Sequence, residues 1–373
     1  MTGPVVIAAG GTGGHLFPAL AVAEELLCRG RDVVAVTDRR GGDLAQRMEG
    51  VPVHRLRASA ISGRGLAGKI GGAVDLLRGT FEARRLLRRL APSAVVGFGG
   101  YPTVPPLFAA YQLGLPALIH EQNAILGRAN RLLAPRVSAV ATSFAQTEGL
   151  AAADALVTGN PVRSAIAALS DADYDAPGRD GAFRLLVFGG SQGARVMSDV
   201  LPAAIHALAA GVRSRLRIAQ QCRGEDLDRV RAVYRDIGIE ADVATFFDDM
   251  DRRFGDAHLV VCRAGASTVA ELAAAGRPSI LVPYTHATDD HQTANARAVE
   301  AAGAGWLIQE EAFTPESVAA RLEAFLTCPS ALIDCAAAAR ASVRADAAMR
   351  LADAIDRLGG SNGHGPVIRE QAA

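Results

Sequence analysis

Two stretches with the same plan decide the fold: VVIAAGGTGGH at residues 5–15 and LLVFGGSQGAR at residues 185–195. Each begins with a short apolar run typical of a buried strand, continues through a glycine-rich turn, and leads into a segment of helix-forming residues. The turns begin at Gly10 and Gly189, which are 179 residues apart, about half of the 373-residue chain. Because strand, glycine turn and helix in series begin a parallel sheet, the sequence predicts an α/β protein of two Rossmann-like, doubly wound domains facing across a cleft.

Further apolar segments alternate with helix-like segments in both halves of the chain. They show little polar alternation, as expected for parallel strands that are covered on both faces. The predicted strands lie at 32–36, 94–97, 117–119 and 138–141 in the first half, and at 216–220, 242–246, 259–262 and 279–282 in the second. These positions predict domains over 1–163 and 164–342, with a linker near 159–161 or within 170–182, and a flexible tail over 359–373.

Composition excludes several classes of protein. The chain is 50% hydrophobic and 21% charged, which is ordinary for a globular protein and unlike a disordered one. Its five cysteines are scattered and form no C-x-x-C pair, so neither a disulfide scaffold nor a zinc ribbon is expected. The N-terminus lacks the basic segment of a signal peptide. The uncharged stretch 90–119 is interrupted by prolines and glycines, so we expect no transmembrane helix there.

The charges are divided unequally between the two halves, although the net charge is zero. Residues 1–163 carry 18 basic and 11 acidic side chains, a net charge of +7, and the remaining residues carry 21 and 28, a net charge of −7. Such asymmetry suggests that the first half meets an anionic surface.

Glycine turns at strand ends place helix N–H groups where they bind anions, usually phosphate, although glycines can also serve only to permit a tight turn. The first turn does not complete a dinucleotide fingerprint with Asp38 as the ribose acid, because Leu16 stands where the third glycine is required. It is not a P-loop either. The second turn matches G-x-S-x-G and is followed by Asp256 and His286, the order of a hydrolase triad, which leaves an α/β hydrolase as an alternative.

Two groups of polar residues in the first half are candidates for chemistry. His15 closes the first glycine turn at a predicted helix N-terminus, where the helix dipole favours the neutral imidazole of a general base; the alternative is a histidine that only caps the turn. Residues 120–123, HEQN, follow a buried strand. Four polar side chains at that place favour a site, and the alternative is an ordinary strand-to-helix turn.

Two further groups lie in the second half. Thr268 and Glu271 have the spacing of a capping box; the competing interpretation is that the amides of 265–268 bind a diphosphate and Glu271 binds a ribose diol. The pairs at 248–249 and 289–290 are adjacent aspartates, which could bind a divalent cation. Adjacent strand residues point to opposite faces, so we favour caps and turns and predict no metal site.

Together these motifs resemble the glycosyltransferases with two Rossmann-like domains (GT-B), and among them the enzymes that add N-acetylglucosamine to lipid I in bacterial peptidoglycan synthesis. The resemblance extends from about residue 5 to residue 358. Its motifs are GGTGGH-x-FPALA at 10–21, GFGGY at 97–101, HEQN at 120–123, GNPVR at 159–163, GGSQGAR at 189–195, FFDDM at 246–250, CRAGAST-x-x-E at 262–271 and DDHQTANA at 289–296.

The resemblance implies an inverting transfer of N-acetylglucosamine from UDP-N-acetylglucosamine to the C4 hydroxyl of the muramoyl-pentapeptide of undecaprenyl-linked lipid I, which gives lipid II. His15 or a neighbour would remove the acceptor proton, and no cofactor or metal would be needed. The resemblance also implies that the helix at 343–358 crosses back to the first domain. Rival functions are a UDP-N-acetylglucosamine epimerase of the same architecture and a nucleotide-sugar sensor without catalysis.

The family's substrate-binding residues transfer to this chain position by position. Only the backbone role of Phe247 transfers safely, because relatives often carry a smaller aliphatic residue there. Some relatives have Gln-Gln where His291-Gln292 stands, so either residue could contact the sugar. The implied substrate-binding set is Thr12, Gly13, Gly14, Asn123, Arg163, Ser191, Phe247, Gly265, Ala266, Ser267, Thr268, Val269, Ala270, Glu271 and Gln292.

A lipid-anchored acceptor implies a peripheral protein at the cytoplasmic face of the inner membrane, with no nucleic-acid partner and with cell-wall or division proteins as potential partners. Residues 69–90 predict a helix, and Ile61 and Leu66 lie in a glycine-rich loop that could insert shallowly. The alternative is a solvated basic helix. The arginines predicted to face an anionic leaflet are Arg84, Arg85, Arg88 and Arg89.

Overall fold

The computed structural model describes residues 3–10, 13–38, 48, 50–58, 66–178, 180–190, 193–342 and 344–360, with the backbone alone at 66–70. The chain divides into two units. The N-terminal unit runs to Arg163 and also includes the chain from Arg344 onward, whereas the C-terminal unit is the continuous segment Ser164–Val343.

A parallel sheet of seven described strands forms the centre of the N-terminal unit, in the order β3-β2-β1-β4-β5-β6-β7. The strands are β1 Val5–Ala8, β2 Val33–Thr37, β3 Val53–Arg55, β4 Ala94–Gly97, β5 Ala117–Glu121, β6 Ala139–Thr142 and β7 Ala155–Val157. The described helices of this unit are α1 Gly13–Cys28, α2 Leu66–Leu90, α3 Val104–Leu113, α4 Arg128–Leu133 and, at the end of the chain, α14 Ala347–Gly360.

Side chains alternate between two cores on either side of this sheet, as the pleat of a strand requires. Val5 and Ile7 of β1 pack with α1 and with the C-terminal helix α14. Val6 and Ala8 face the opposite core, which α2 and α3 cover. The apolar, non-alternating β1 sequence therefore reflects a strand that is buried on both faces.

The C-terminal unit repeats the plan with six described parallel strands in the order β10-β9-β8-β11-β12-β13. They are β8 Phe183–Phe188, β9 Leu216–Gln221, β10 Glu240–Ala244, β11 Leu259–Cys262, β12 Ser279–Leu281 and β13 Trp306–Leu307. The described helices are α5 Ser164–Ala167, α6 Arg195–Ala207, α7 Ala210–Arg213, α8 Leu227–Asp236, α9 Met250–Asp256, α10 Ala266–Ala274, α11 His291–Ala301, α12 Pro315–Thr327 and α13 Ser330–Ser342.

Two parallel-sheet α/β units confirm the predicted fold class. One predicted strand is misplaced by two residues. The prediction covers 242–246, whereas β10 covers Glu240–Ala244. Within the described residues, no single helix is long and apolar enough to cross a membrane; the bent pair Pro315–Thr327 and Ser330–Gly360, at 94°, meets the criteria of length and composition only.

Candidate functional site

The predicted site residues that the structure describes lie beyond the carboxyl ends of neighbouring strands, the edge at which open α/β sheets bind ligands. In the N-terminal unit, β1 leads into α1, β4 into the GFGGY turn, and β5 into the HEQN segment. Since β1, β4 and β5 are adjacent in the sheet, the loops that follow them converge on His15 in the first turn of α1.

Glycine backbone packs closely against the ring of His15. A Cβ atom on Gly99 would lie 3.0 Å from His15 Cε1 and 3.1 Å from Nδ1, and one on Gly100 would lie 3.4 Å from Cδ2. Gly99 also has a φ of +88°, a left-handed value that side chains other than glycine rarely adopt. The GFGGY turn therefore needs its glycines to leave room for the imidazole.

A line of hydrogen bonds extends from His15 into the protein. His15 Nδ1 lies 3.1 Å from Gln122 Oε1, and Gln122 Nε2 lies 3.0 Å from both Nδ1 and the carbonyl oxygen of His120. At the far end, His120 Nε2 lies 2.9 Å from the carbonyl oxygen of Gly159. His120 is fully buried, and that burial lowers its pKa to about 4 against smaller opposing effects of the Gly159 carbonyl and the Glu121 carboxylate.

Glu121 is a buried carboxylate that accepts four N–H bonds. Its Oε1 accepts from the backbone N–H of Asn123 at 3.0 Å and from Asn123 Nδ2 at 3.1 Å. Its Oε2 accepts from the Gly127 N–H at 2.9 Å and from Asn130 Nδ2 at 2.8 Å. Because Asn123 Nδ2 is held by the carboxylate, the amide of this predicted sugar contact has a fixed orientation.

The other predicted residues of the N-terminal unit lie near α1. Gly13 and Gly14 form the first turn of α1, and a Cβ on Gly14 would meet open space. The Arg163 guanidinium lies over the Phe17 ring at 5.0 Å. Thr12 lies outside the described residues.

In the C-terminal unit the segment after β11 begins helix α10, with Gly265 as its N-cap and no side-chain capping bond. Thr268 is therefore inside the helix, and the proposed capping box is wrong. Glu271 is buried on the same helix, at 7% exposure. Asn295, fully buried, donates from Nδ2 to the Ala264 carbonyl at 3.0 Å and fixes the turn before α10. The amides of Gly265–Thr268 thus lie at a helix N-terminus that suits a phosphate group, whereas the Val269 N–H donates to the Gly265 carbonyl at 3.0 Å.

A strained turn precedes helix α11. Asp289 and Asp290 have φ values of +54° and +51°, and Asp290 Oδ1 accepts from Thr293 Oγ1 at 2.6 Å. The turn leads to His291, whose Nδ1 donates to the Thr288 carbonyl at 2.7 Å.

Gln292 Oε1 accepts from the backbone N–H of Tyr284 at 2.9 Å, and this bond does not use the donor side of the amide, Nε2. This bond links the turn after β12 to the first turn of α11.

Phe247 follows β10 with its side chain buried beneath Arg253, whose guanidinium carbon lies 3.7 Å from the ring centroid. The neighbouring Asp249 accepts hydrogen bonds from Arg252 and Arg253, which lower the pKa of its carboxyl group. In the part of the chain that the structure describes, no group of three or more His, Cys, Asp or Glu side chains could hold a metal ion.

The hydrolase alternative fails on geometry. Asp256 precedes β11, at the amino edge of the sheet, where its carbonyl accepts from Arg184 Nε at 2.5 Å. His286 follows β12, at the carboxyl edge, beside the Tyr284 ring. The two residues therefore lie at opposite ends of the strands. Ser191, the proposed nucleophile and also a predicted phosphate contact, lies outside the described residues.

Sequence reasoning missed Arg263 as a residue that shapes the site. Its Nη1 donates to the carbonyls of Val282 and Pro283, at 3.1 and 2.9 Å, and forms an ion pair with Glu310 Oε2 at 2.5 Å. Arg263 therefore holds the turn after β12 against the turn after β11. A charged residue directly after a buried strand was the signal that could have indicated it.

The chain is similar to known proteins along most of its length. Residues 5–142 match the glycosyltransferase family 28 N-terminal domain, and residues 184–358 match the glycosyltransferase family 28 C-terminal domain. A protein of Rhodospirillum centenum is 54% identical over 94% of this chain and 93% of its own length. It is named UDP-N-acetylglucosamine–N-acetylmuramyl-(pentapeptide) pyrophosphoryl-undecaprenol N-acetylglucosamine transferase.

Solved structures show the same likeness. The crystal structure of Acinetobacter baumannii MurG matches with a TM-score of 0.78 at 33% identity, covering 95% of this chain and 99% of that one. A UDP-GlcNAc 2-epimerase from Neisseria meningitidis, bound to UDP-GlcNAc, matches with a TM-score of 0.67 at 12% identity, covering 95% and 100%. At that identity the second match shows a shared fold alone.

Proposed function

The chain belongs to glycosyltransferase family 28, and we propose that it transfers N-acetylglucosamine from UDP-N-acetylglucosamine to the C4 hydroxyl of the muramoyl-pentapeptide of lipid I, giving lipid II. The observation that carries this proposal is the 54% identity, along 94% of the chain, to a transferase of that name. The match covers 94% of the chain and therefore extends across both units.

The transfer is a single displacement that inverts the anomeric carbon. Neutral His15 takes the proton of the C4 hydroxyl, the hydroxyl oxygen bonds to the anomeric carbon, and UDP leaves with the bonding electrons. Removing a proton in this way contributes about 10²- to 10⁴-fold to the rate. The amides at the start of α10 stabilise the charge that develops on the diphosphate, and the resemblance assigns the Arg163 guanidinium to the same phosphates.

Donor recognition is assigned mainly to the C-terminal unit. The segment Gly265–Ala270 wraps the diphosphate with the amides of Gly265–Thr268 as donors, the buried Glu271 accepts hydrogen bonds from the ribose hydroxyls, and the Phe247 backbone contacts the uracil edge. The resemblance assigns Gln292 and Asn123 to the sugar hydroxyls, and each of the two amides is oriented by a hydrogen bond within its own unit. Thr12, Gly13, Gly14 and Ser191 complete the set carried over from the family.

The test is an acceptor-dependent assay. Purified protein is incubated with labelled UDP-N-acetylglucosamine and a lipid I analogue, and we expect disaccharide product only when the analogue is present. Conversion of the donor without the analogue would instead identify an epimerase, and tight binding without turnover would identify a sensor. His15→Ala is expected to bind UDP-N-acetylglucosamine nearly normally and to transfer sugar at least about a hundredfold more slowly; near-full activity would refute the base assignment.

We further propose that α2 docks the protein on an anionic leaflet, at the cytoplasmic face of the inner membrane where lipid I would be presented. Leu77 and Phe81, one helical turn apart, are 72% and 61% exposed. Arg85 lies over the Phe81 ring at 5.2 Å. The exposed basic residues beside this apolar pair are Arg78, Arg85, Arg88 and Arg89.

One predicted docking residue needs correction. Arg84 is only partly exposed, and its Nε is buried, because the residue lies between the buried positions Ala83 and Leu87. The apolar contribution shifts to Leu77 and Phe81, since Ile61 lies outside the described residues and only the backbone of Leu66 is described. Each exposed arginine near an anionic leaflet contributes about 1 kcal/mol, which suits reversible docking.

A further inference from the structure

The hydrogen bonds that connect His15 to Gly159 through Gln122 and His120 allow only one assignment of donors and acceptors. The Gly159 carbonyl oxygen has no proton to give, so His120 Nε2 is the donor of the 2.9 Å bond between them. His120 is fully buried and neutral, with its pKa lowered to about 4, so its single ring proton is already placed on Nε2. Its Nδ1 is therefore an acceptor.

The orientation of the Gln122 amide follows from His120. Gln122 Nε2 lies 3.0 Å from two acceptors, the Nδ1 and the carbonyl oxygen of His120, and its two N–H groups satisfy both. The flipped amide would place an oxygen against both acceptors, so it is excluded. Gln122 Oε1 therefore faces His15, and the nitrogen 3.1 Å away, His15 Nδ1, must carry a proton.

We propose that Gln122 and His120 are positioning residues that hold His15 in the tautomer with its proton on Nδ1 and its basic lone pair on Nε2. A free neutral imidazole favours the opposite tautomer, in which Nε2 carries the proton and cannot accept another. The line of bonds thus prepares Nε2 as the base before the acceptor arrives. The proposal rests on the proposed role of His15 in the transfer.

Two charged side chains of this region are held by contacts other than His15. The Glu121 carboxylate, next to Gln122 in the chain, directs both oxygens to N–H groups of Asn123, Gly127 and Asn130. The Arg163 guanidinium lies over the Phe17 ring. The proton on His15 Nδ1 is therefore set by the neutral amide of Gln122.

The direct test is ¹⁵N NMR of the full chain labelled at histidine, recorded at alkaline pH, where neutral imidazole dominates. His15→Ala identifies the His15 signals. We expect a protonated Nδ1 and an unprotonated Nε2 in the wild type, and a shift toward protonated Nε2 in Gln122→Met, which keeps the size of the side chain and removes its bonds. A wild-type His15 protonated on Nε2 would overturn the proposal, even if the variant failed to fold.

Kinetics separate positioning from a structural role. With the lipid I analogue, Gln122→Met is expected to lower kcat about ten- to a hundredfold with little change in the donor KM, whereas Gln146→Met, the same change at an exposed position of the same unit, should leave kcat unchanged. In a His15→Ala background, Gln122→Met should lower kcat little further, because Gln122 acts through His15.

The outcomes distinguish the two hypotheses. Full activity of His15→Ala refutes the base role in the proposed function, whereas the NMR result still decides the tautomer. An inactive His15→Ala beside a fully active Gln122→Met refutes the positioning role alone. An equal loss from Gln122→Met with and without His15 shows that Gln122 only supports the fold.

Discussion

Replacing Glu121 by glutamine should destabilise the N-terminal unit far more than a change of one atom suggests. The carboxylate accepts four N–H bonds at 2.8 to 3.1 Å, two on each oxygen. In the glutamine variant an NH₂ group replaces one oxygen and faces two N–H donors, which lose their acceptor. The other two donors keep an acceptor, but it is a neutral oxygen. Buried bonds to a charged group contribute about 1.5–3 kcal/mol each, and an unsatisfied donor has a similar penalty. We expect a net loss of about 3–5 kcal/mol in the free energy of unfolding of this unit.

The assay is a calorimetric melt that follows the transition of the N-terminal unit. At about 2–4 °C per kcal/mol for a unit of this size, Tm should fall by roughly 6–20 °C. Glu148→Gln, at an exposed carboxylate of the same unit, is the matched control and should remain within about 0.5 kcal/mol of the wild type. If Glu121→Gln melted within about 2 °C of that control, the carboxylate would not be the anchor of the HEQN turn.

Three other changes probe the donor site, the packing around His15 and the docking surface of α2. Glu271→Gln should weaken UDP binding by about 1.5–3 kcal/mol in a calorimetric titration with little change in Tm; a lower Tm with normal binding would instead indicate a purely structural carboxylate. Gly99→Ala should displace the His15 ring, since its Cβ would lie 3.0 Å from Cε1, and lower kcat with UDP binding retained; unchanged turnover would contradict the packing argument. Sedimentation with anionic vesicles, reversed by high salt and absent with zwitterionic vesicles, should be lost when glutamine replaces the exposed arginines of α2, but kept when as many exposed arginines of the C-terminal unit are changed. Continued sedimentation of the α2 variant would place docking elsewhere. The four replaced residues of α2 are Arg78, Arg85, Arg88 and Arg89.

The central strands were predictable because parallel strands buried on both faces are continuous apolar runs. The predictions at 94–97 and 259–262 coincide with β4 and β11. The edge strands gave no such signal. Val53–Arg55 and Trp306–Leu307 have only three and two residues, and neither is fully buried. β10 is largely exposed, so its own residues are less apolar than those that follow it. The apolar residues after the strand therefore moved the prediction two residues toward the C-terminus.

The positions of the site residues could be predicted from the sequence, but their hydrogen-bond partners could not. The sequence indicated a site at HEQN but ended the preceding strand at Ile119, because His120 and Glu121 are polar. In the structure both belong to β5 and are buried. Their bonding partners, such as Gly159 and Asn130, lie 39 and 9 residues away along the chain, and local patterns do not reveal which distant groups satisfy a buried polar side chain.

The position of α14 has a consequence for synthesis on the ribosome. Leu351 and Ile355 of this helix share a core with Leu16 and Val22 of α1, so among the described helices the first packs against the last. All of the C-terminal unit is translated between them. At about 5–20 residues per second, α14 is synthesised roughly 15 to 70 seconds after α1. The unit whose synthesis begins first is thus completed only after the whole C-terminal unit has been made, and the apolar α1 surface lacks its cover until then.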